Sequence, residues 1–187
     1  MEAIAPLPRL SLVSGPASGG KSRWAEHLAS VSGLPVVYLA TGPLLPDDTC
    51  WQQRLERHRR RRPEAWSCWE VGGELAEALQ QVGPGKVALI DSLGTWVSAH
   101  LECPIDAWSA LTSHLLESLD RCDSPVLMVV EECGWGVVPS SAAGGLFRQR
   151  LGEVQQQLGQ RAGASWLVWQ GRALNLHDHG LAVPSEA

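Results

Sequence analysis

The chain is nearly without lysine: Lys21 and Lys86 are its only two, beside thirteen arginines and a net charge of −5. That balance excludes attraction of the whole surface to nucleic acid or anionic membrane. No apolar run approaches the length needed to cross a bilayer. The opening residues, MEAIAPLPRL, lack the charged and apolar regions of a secretory leader. The five cysteines are odd in number, scattered and without a C-x-x-C pair. This argues against a disulfide framework or a zinc site and predicts buried thiols in a reducing cytoplasm. Phenylalanine and tyrosine occur once each against nine tryptophans, and no segment repeats.

What is present alternates. Short β-branched or apolar runs at 10–14, 36–40, 66–71, 87–91, 126–130 and 165–169 read as strands. Helical patterns at 21–32, 47–61, 74–81, 105–121 and 146–161 separate them, and a further helix is possible at 93–101. Strands apolar nearly throughout fit a largely parallel sheet buried on both faces. The expectation is a three-layer α/β protein, 1–187 forming a single domain with its core at about 10–172 and a loosely attached tail at 173–187. Ligands of such sheets sit at the carboxyl ends of the strands. Those ends carry 14–22, 41–43, 91–92 and 131–136.

The first of these loops reads GPASGGKS, from Gly15 through Pro16, Ala17, Ser18, Gly19 and Gly20 to Lys21 and Ser22. It matches G-x-x-x-x-G-K-[ST] between a strand and a helix, the P-loop context. There, successive backbone N–H groups curl around phosphate oxygens, the lysine reaches the β- and γ-phosphates and the serine hydroxyl meets Mg²⁺. The helix start adds partial positive charge. Asp91, closing the apolar run VALID, is the candidate second Mg²⁺ ligand, its alternative being a helix N-cap. Glu131 and Glu132 end another strand as candidate base or metal partners.

Six of the thirteen arginines crowd into 54–62. On a helix, Arg54, His58 and Arg62 follow one another at i, i+4 and i+8, with Arg61 three residues beyond His58. Positive neighbours favour a neutral imidazole. A neutral ring nitrogen is a nucleophile towards phosphorus, and arginines stabilise charge on the attacked phosphate. Charge pattern alone leaves a solvated basic face and a nucleic-acid contact helix open as well.

Taken in order, GPASGGKSRWAE, VVYLATGP, RLERHRRRRPEAW, VALIDSLGTWVS, VVEECGWGVVP and LFRQRLGEVQQQLG resemble the bifunctional adenosylcobinamide kinase/adenosylcobinamide-phosphate guanylyltransferase family, across about 10–172. The resemblance implies a P-loop NTPase of RecA-like fold, trimeric in known members. It also implies phosphorylation of adenosylcobinamide from ATP or GTP with Mg²⁺, then transfer of GMP from GTP to the phosphate. The GMP is carried on a histidine that by motif position is His58. Nucleotide contacts carry over to Gly15–Ser22, to Thr41, Gly42 and Pro43, to Arg60, Arg61, Arg62 and Pro63, and to Glu70 and Asp91. It implies corrinoid partners and neither nucleic acid nor membrane. The alternatives are a small-molecule kinase lacking the transfer step, or a nucleotide-dependent nucleic-acid-binding module. Departures from the family pattern are Pro16 in place of a glycine, Ser18–Gly19 in place of Arg–Ser, and Glu131 where an asparagine is usual.

Overall fold

A computed structural model of the chain describes residues 6–184, apart from the side chain of Arg54. One sheet carries seven strands: β1 (Leu10–Gly15), β2 (Val36–Ala40), β3 (Ser67–Glu70), β4 (Val87–Asp91), β5 (Val126–Glu131), β6 (Ala164–Trp169) and β7 (Arg172–Asn175). Their order is β3-β2-β4-β5-β1-β6-β7, parallel except for the β6–β7 pair. The helices are α1 (Lys21–Val31), α2 (Thr49–Arg61), α3 (Leu75–Gln81), α4 (Leu93–Ala99), α5 (Ile105–Arg121), α6 (Ala142–Gly159) and α7 (Leu176–His179). All six expected strands and five expected helices form, and α4 lies within the 93–101 segment.

Side chains of a strand alternate between faces, and here each face meets an apolar layer. Leu12, Leu39, Ile90 and Met128 pack against α3, α4, α5 and α6 in one cluster. Val13, Tyr38, Leu89 and Val129 pack against Ala25, Leu28 and Ala29 of α1 in the other. The result is the three-layer α/β sandwich expected, with α1 alone supplying the helical part of the second cluster.

Two stretches differ from the sequence reading. Helix α6 begins at Ala142 rather than near 146, because Ser141 caps it, its hydroxyl accepting from the Gly144 N–H at 3.1 Å. Its small first residues, Ala-Ala-Gly-Gly, carry no periodic signal. The stretch expected as a loose tail is structured at its start: residues 172–175 pair with β6 as a hairpin strand and 176–179 form α7. The turn uses Gln170 and Gly171, both at positive φ, 47° and 76°. That geometry belongs to a two-residue hairpin normally announced by Asn-Gly or Asp-Gly.

Candidate active site

Strand order decides what meets. β1 lies between β5 and β6, and β5 lies between β1 and β4. In register, Gly15 is opposite Glu131 and Asp91 opposite Val129. The ends of β1, β5 and β4 therefore deliver the phosphate loop, Glu131 and Asp91 side by side.

The loop is held tightly. A side chain on Gly15, at φ 149°, would strike the Val168 carbonyl oxygen of β6, so only glycine lets β1 turn there. The Pro16 carbonyl accepts from the Gly19 N–H (3.1 Å) and from Lys21 Nζ (2.8 Å). Ser18 takes the left-handed conformation, φ 58°. Lys21 is buried at the first turn of α1. Two cavities open beside it. The larger, about 470 Å³, is lined by Ser18–Ser22 with Arg23, Arg57 and Arg61. The smaller, about 240 Å³, is lined by Ala17, Tyr38, Gly42, Trp51, Leu55, Arg62 and Phe147 among others. Lys21, His58, Asp91 and Glu131 line both.

Asp91 is not the cap of α4. That position belongs to Ser92, which forms a capping box with Thr95. The Asp91 carboxylate is free for the site, and Tyr38 donates its hydroxyl to Oδ2 at 2.6 Å. Burial would push this carboxyl up. Hydrogen bonds from His58, Tyr38 and Ser22 outweigh burial and hold it below its usual value. Tyr38 is shifted upwards, first by burial and then by the Asp91 charge, so it stays a donor. A hydroxyl and a carboxylate meeting at Ser22 and Asp91 are hard oxygen donors suited to Mg²⁺, which takes one or two protein ligands and completes its shell with phosphate and water. No group of three or more His, Cys, Asp or Glu able to hold a metal occurs among the described residues, so an all-protein cage is not formed among them.

Helix α2 starts at its cap Asp48, whose carboxylate accepts from the Trp51 N–H at 2.9 Å. None of its described side chains belongs to either apolar cluster. Polar contacts hold it: Arg61 is forked onto Glu26 of α1 (3.0 and 3.2 Å), Arg59 reaches Glu70 (3.2 Å), and the Arg62 guanidinium lies 3.5 Å over the Tyr38 ring. Trp51 Nε1 donates to the Pro43 carbonyl (2.8 Å). This frame turns His58 inward, its Nδ1 3.4 Å from Asp91 Oδ2 and also 3.4 Å from an Arg61 nitrogen. Arg61 gives its Nε and one Nη2 proton to Glu26, and Asp91, a buried anion, can only accept. We assign the ring proton to Nδ1, shared with Asp91, which leaves the Nε2 lone pair available.

The expected site residues divide. Ala17–Ser22, Gly42, His58, Arg61, Arg62 and Asp91 gather around the two cavities, whereas Gly15, Pro16 and Pro43 line neither. Thr41 is buried behind them, its hydroxyl tied to Ser92 and Thr95. Arg60 faces solvent in an i,i+4 pair with Glu56, and Pro63 and Glu70 stand outside both cavities. Glu132 turns into its own loop, accepting from Gly134 and Trp135 N–H groups. The sequence reading missed Tyr38 and Glu26. Tyr38 read as one more apolar strand position, its sole signal being that the chain has no other tyrosine; Glu26 gave none, because its partner is 35 residues away.

Comparison with known proteins identifies the family and the fold. The family model described as cobinamide kinase / cobinamide phosphate guanyltransferase matches residues 11–176. The bifunctional adenosylcobalamin biosynthesis protein CobU of Escherichia coli K12 is 35% identical over 175 residues, 86% of this chain and 95% of that protein. CobP of Pseudomonas aeruginosa is 34% identical over 154 residues, 80% of this chain and 87% of its own. Among solved structures, an ATPase from a bacterial type III secretion system superposes with TM-score 0.60 at 10% identity, covering 94% of this chain and 59% of that one. A Pyrococcus horikoshii OT3 protein gives 0.55 at 10%, covering 92% and 87%. These likenesses show the fold, that of RecA-like P-loop ATPases. The chain belongs to the cobinamide kinase / cobinamide phosphate guanyltransferase family, the bifunctional transferases of cobalamin biosynthesis.

Proposed function

We propose that both half-reactions run in the joined cavities, with Lys21 and the loop serving phosphates in each and His58 carrying GMP in the second. The observation that carries this reading is that Lys21, Asp91 and His58 line the same two cavities. In the first half-reaction the loop N–H groups and Lys21 orient the triphosphate of ATP or GTP, and the aminopropanol hydroxyl of adenosylcobinamide takes the γ-phosphoryl group. Mg²⁺, held by Ser22 and Asp91, supplies charge neutralisation on the phosphates when bound. In the second, His58 Nε2 attacks the α-phosphorus of GTP. The bond to the bridging oxygen breaks and its electron pair leaves with pyrophosphate. A phosphate oxygen of adenosylcobinamide phosphate then attacks the same phosphorus, and the N–P pair returns to His58. Asp91 keeps the Nδ1 proton and steadies the positive charge the ring gains, while Arg57, Arg61 and Arg62 offset charge on the transferring group.

In this reading Gly42 borders the nucleotide site, and Thr41, Pro43, Arg60, Pro63 and Glu70, which lie outside the two cavities, support or meet the nucleotide only from beyond them. The chain works in the cytoplasm, which its five free cysteines support, and assembles as a trimer. No helix among the described residues is long and apolar enough to cross a membrane. The test is incubation with α-labelled GTP and Mg²⁺. The expected result is an acid-labile, base-stable protein label that is discharged by cobinamide phosphate to GDP-cobinamide. Phosphorylation of cobinamide without any label would favour the kinase-only alternative.

A further inference from the structure

The two half-reactions present different phosphorus atoms to the same arm of the acceptor. Phosphorylation offers the γ-phosphorus of the donor, and guanylyl transfer offers the α-phosphorus of GTP on His58. The phosphates lie between Lys21 and Asp91 in both, so the nucleoside leaves in opposite directions. With the α-phosphorus at His58, it lies on the α2 side. With the γ-phosphorus turned towards Asp91 on β4, it lies on the far side of β1, where the sheet order continues to β6 and β7. The larger cavity carries no indole or phenyl face to receive a base there.

The surface beyond that cavity does carry one. Trp169 ends β6 and Trp135 stands on the loop after β5, their ring centroids 5.2 Å apart and tilted by 52°. Both are anchored at the root of the phosphate loop. The Glu132 N–H donates to the Gly15 carbonyl at 3.0 Å, and the Glu132 carboxylate accepts from the Trp135 N–H at 3.2 Å. Arg148 fixes the same loop by donating to the Gly134 carbonyl at 2.6 Å. Val168, which precedes Trp169, is the residue whose carbonyl crowds Gly15, and its side chain would lie 3.7 Å from a Cβ on Gly20. Pairing with Arg172 holds the Trp169 backbone in place. Yet the rings stay open to solvent, Trp135 at 62% and Trp169 at 41% exposure, although burying an indole is strongly favourable. We infer that the Trp135–Trp169 pair is the platform for the purine base of the phosphoryl-donor nucleotide, apart from the place taken by the guanine in guanylyl transfer. Stacking on an indole is indifferent to which base is stacked, which suits a step drawing on ATP or GTP. The inference rests on the functional reading above, which puts the donor triphosphate on the Lys21 loop.

The experiment is Trp169→Ala, with the steady-state kinetics of each half-reaction measured separately, the second with preformed adenosylcobinamide phosphate and GTP. The expected result is a KM for ATP in phosphorylation raised about tenfold. The KM for adenosylcobinamide and the KM for GTP in guanylyl transfer stay unchanged. Trp169→Phe, which keeps a ring, holds the KM for ATP within about threefold of wild type. Trp135→Ala, in an exposed loop, raises it in the same direction and serves equally if Trp169→Ala does not fold. An equal rise for ATP and for GTP in guanylyl transfer would show one shared nucleoside position and overturn the proposal. So would a rise for adenosylcobinamide instead, which would put the corrin ring on the pair, or a change of oligomeric state, which would put a second copy of the chain there. Wild-type protein that does not phosphorylate adenosylcobinamide overturns the functional reading with it; active wild type beside an unchanged KM for ATP in both alanine variants overturns this inference alone.

Discussion

The phosphate loop and the arginine helix serve one site but are built by opposite means. The loop springs from a strand in the middle of the sheet. Its glycine is imposed by a carbonyl of β6, and its lysine is buried at the start of a helix rooted in the apolar core. Helix α2 contributes none of its described side chains to that core and is moored by half-exposed ion pairs, a guanidinium over a ring and one indole hydrogen bond. Burial of apolar surface fixes a group against a cost of many kcal/mol, whereas an exposed ion pair contributes about 0.2–1 kcal/mol. On the proposed reading, the triphosphate is gripped by a rigid element, and the nucleophile is offered by one whose position depends on charge.

The comparison is broken or sharpened by perturbing each side. The largest effect is expected from Lys21→Ala: removing one preorganised cation should lower both half-reactions by at least about 10²-fold, read by steady-state kinetics of each. Guanylyl transfer at wild-type rate would detach the second reaction from the loop. A smaller and selective effect is expected from Glu26→Ala, which frees Arg61. At about 1 kcal/mol for a partly exposed pair, guanylylation of His58 should fall up to about fivefold while phosphorylation holds. Smaller still, raising ionic strength should slow guanylylation more than phosphorylation, since screening reaches the moorings of α2 before the buried loop.

The least disturbing test uses the sole tyrosine as its own reporter. Tyr38 has its pKa raised above 10.0, first by burial and then by the Asp91 charge. In the unfolded chain it ionises near 10.0, so the folded state gives up stability as pH climbs past that value towards its raised one. Tyrosinate absorbance should therefore appear together with alkaline unfolding, and Tyr38→Phe should flatten the alkaline loss of stability. Tyrosinate formed in the native protein near pH 10 would contradict the buried Tyr38–Asp91 contact.

How far the sequence disclosed this depended on how local each feature is. The loop, its strand and its helix are contiguous, so GPASGGKS could be read without the rest of the molecule. Strands β1, β2, β4 and β5 were legible because near-complete burial leaves an apolar run, whereas the β6–β7 hairpin was not, its Gln-Gly turn lacking the usual Asn or Asp. His58 stood out through its arginines, yet the carboxylate it faces, Asp91, lies 33 residues on and meets it only through the parallel order of β2 and β4. The reading placed cations alone around the imidazole; the fold adds an anion at Nδ1. Glu131 was legible as a strand-end carboxylate and a candidate base or metal partner, but its contacts with Ser92 and Gly94 were not, since these approach it across the sheet ends.

The central claim is that His58 serves the second half-reaction and not the first. It is tested most directly by His58→Ala, given α-labelled GTP in one assay and ATP with adenosylcobinamide in another. The account expects no protein-bound label and no GDP-cobinamide, with phosphorylation within about threefold of wild type because the loop and its electrostatics are intact. A persisting label, or phosphorylation lost together with guanylyl transfer, would contradict it.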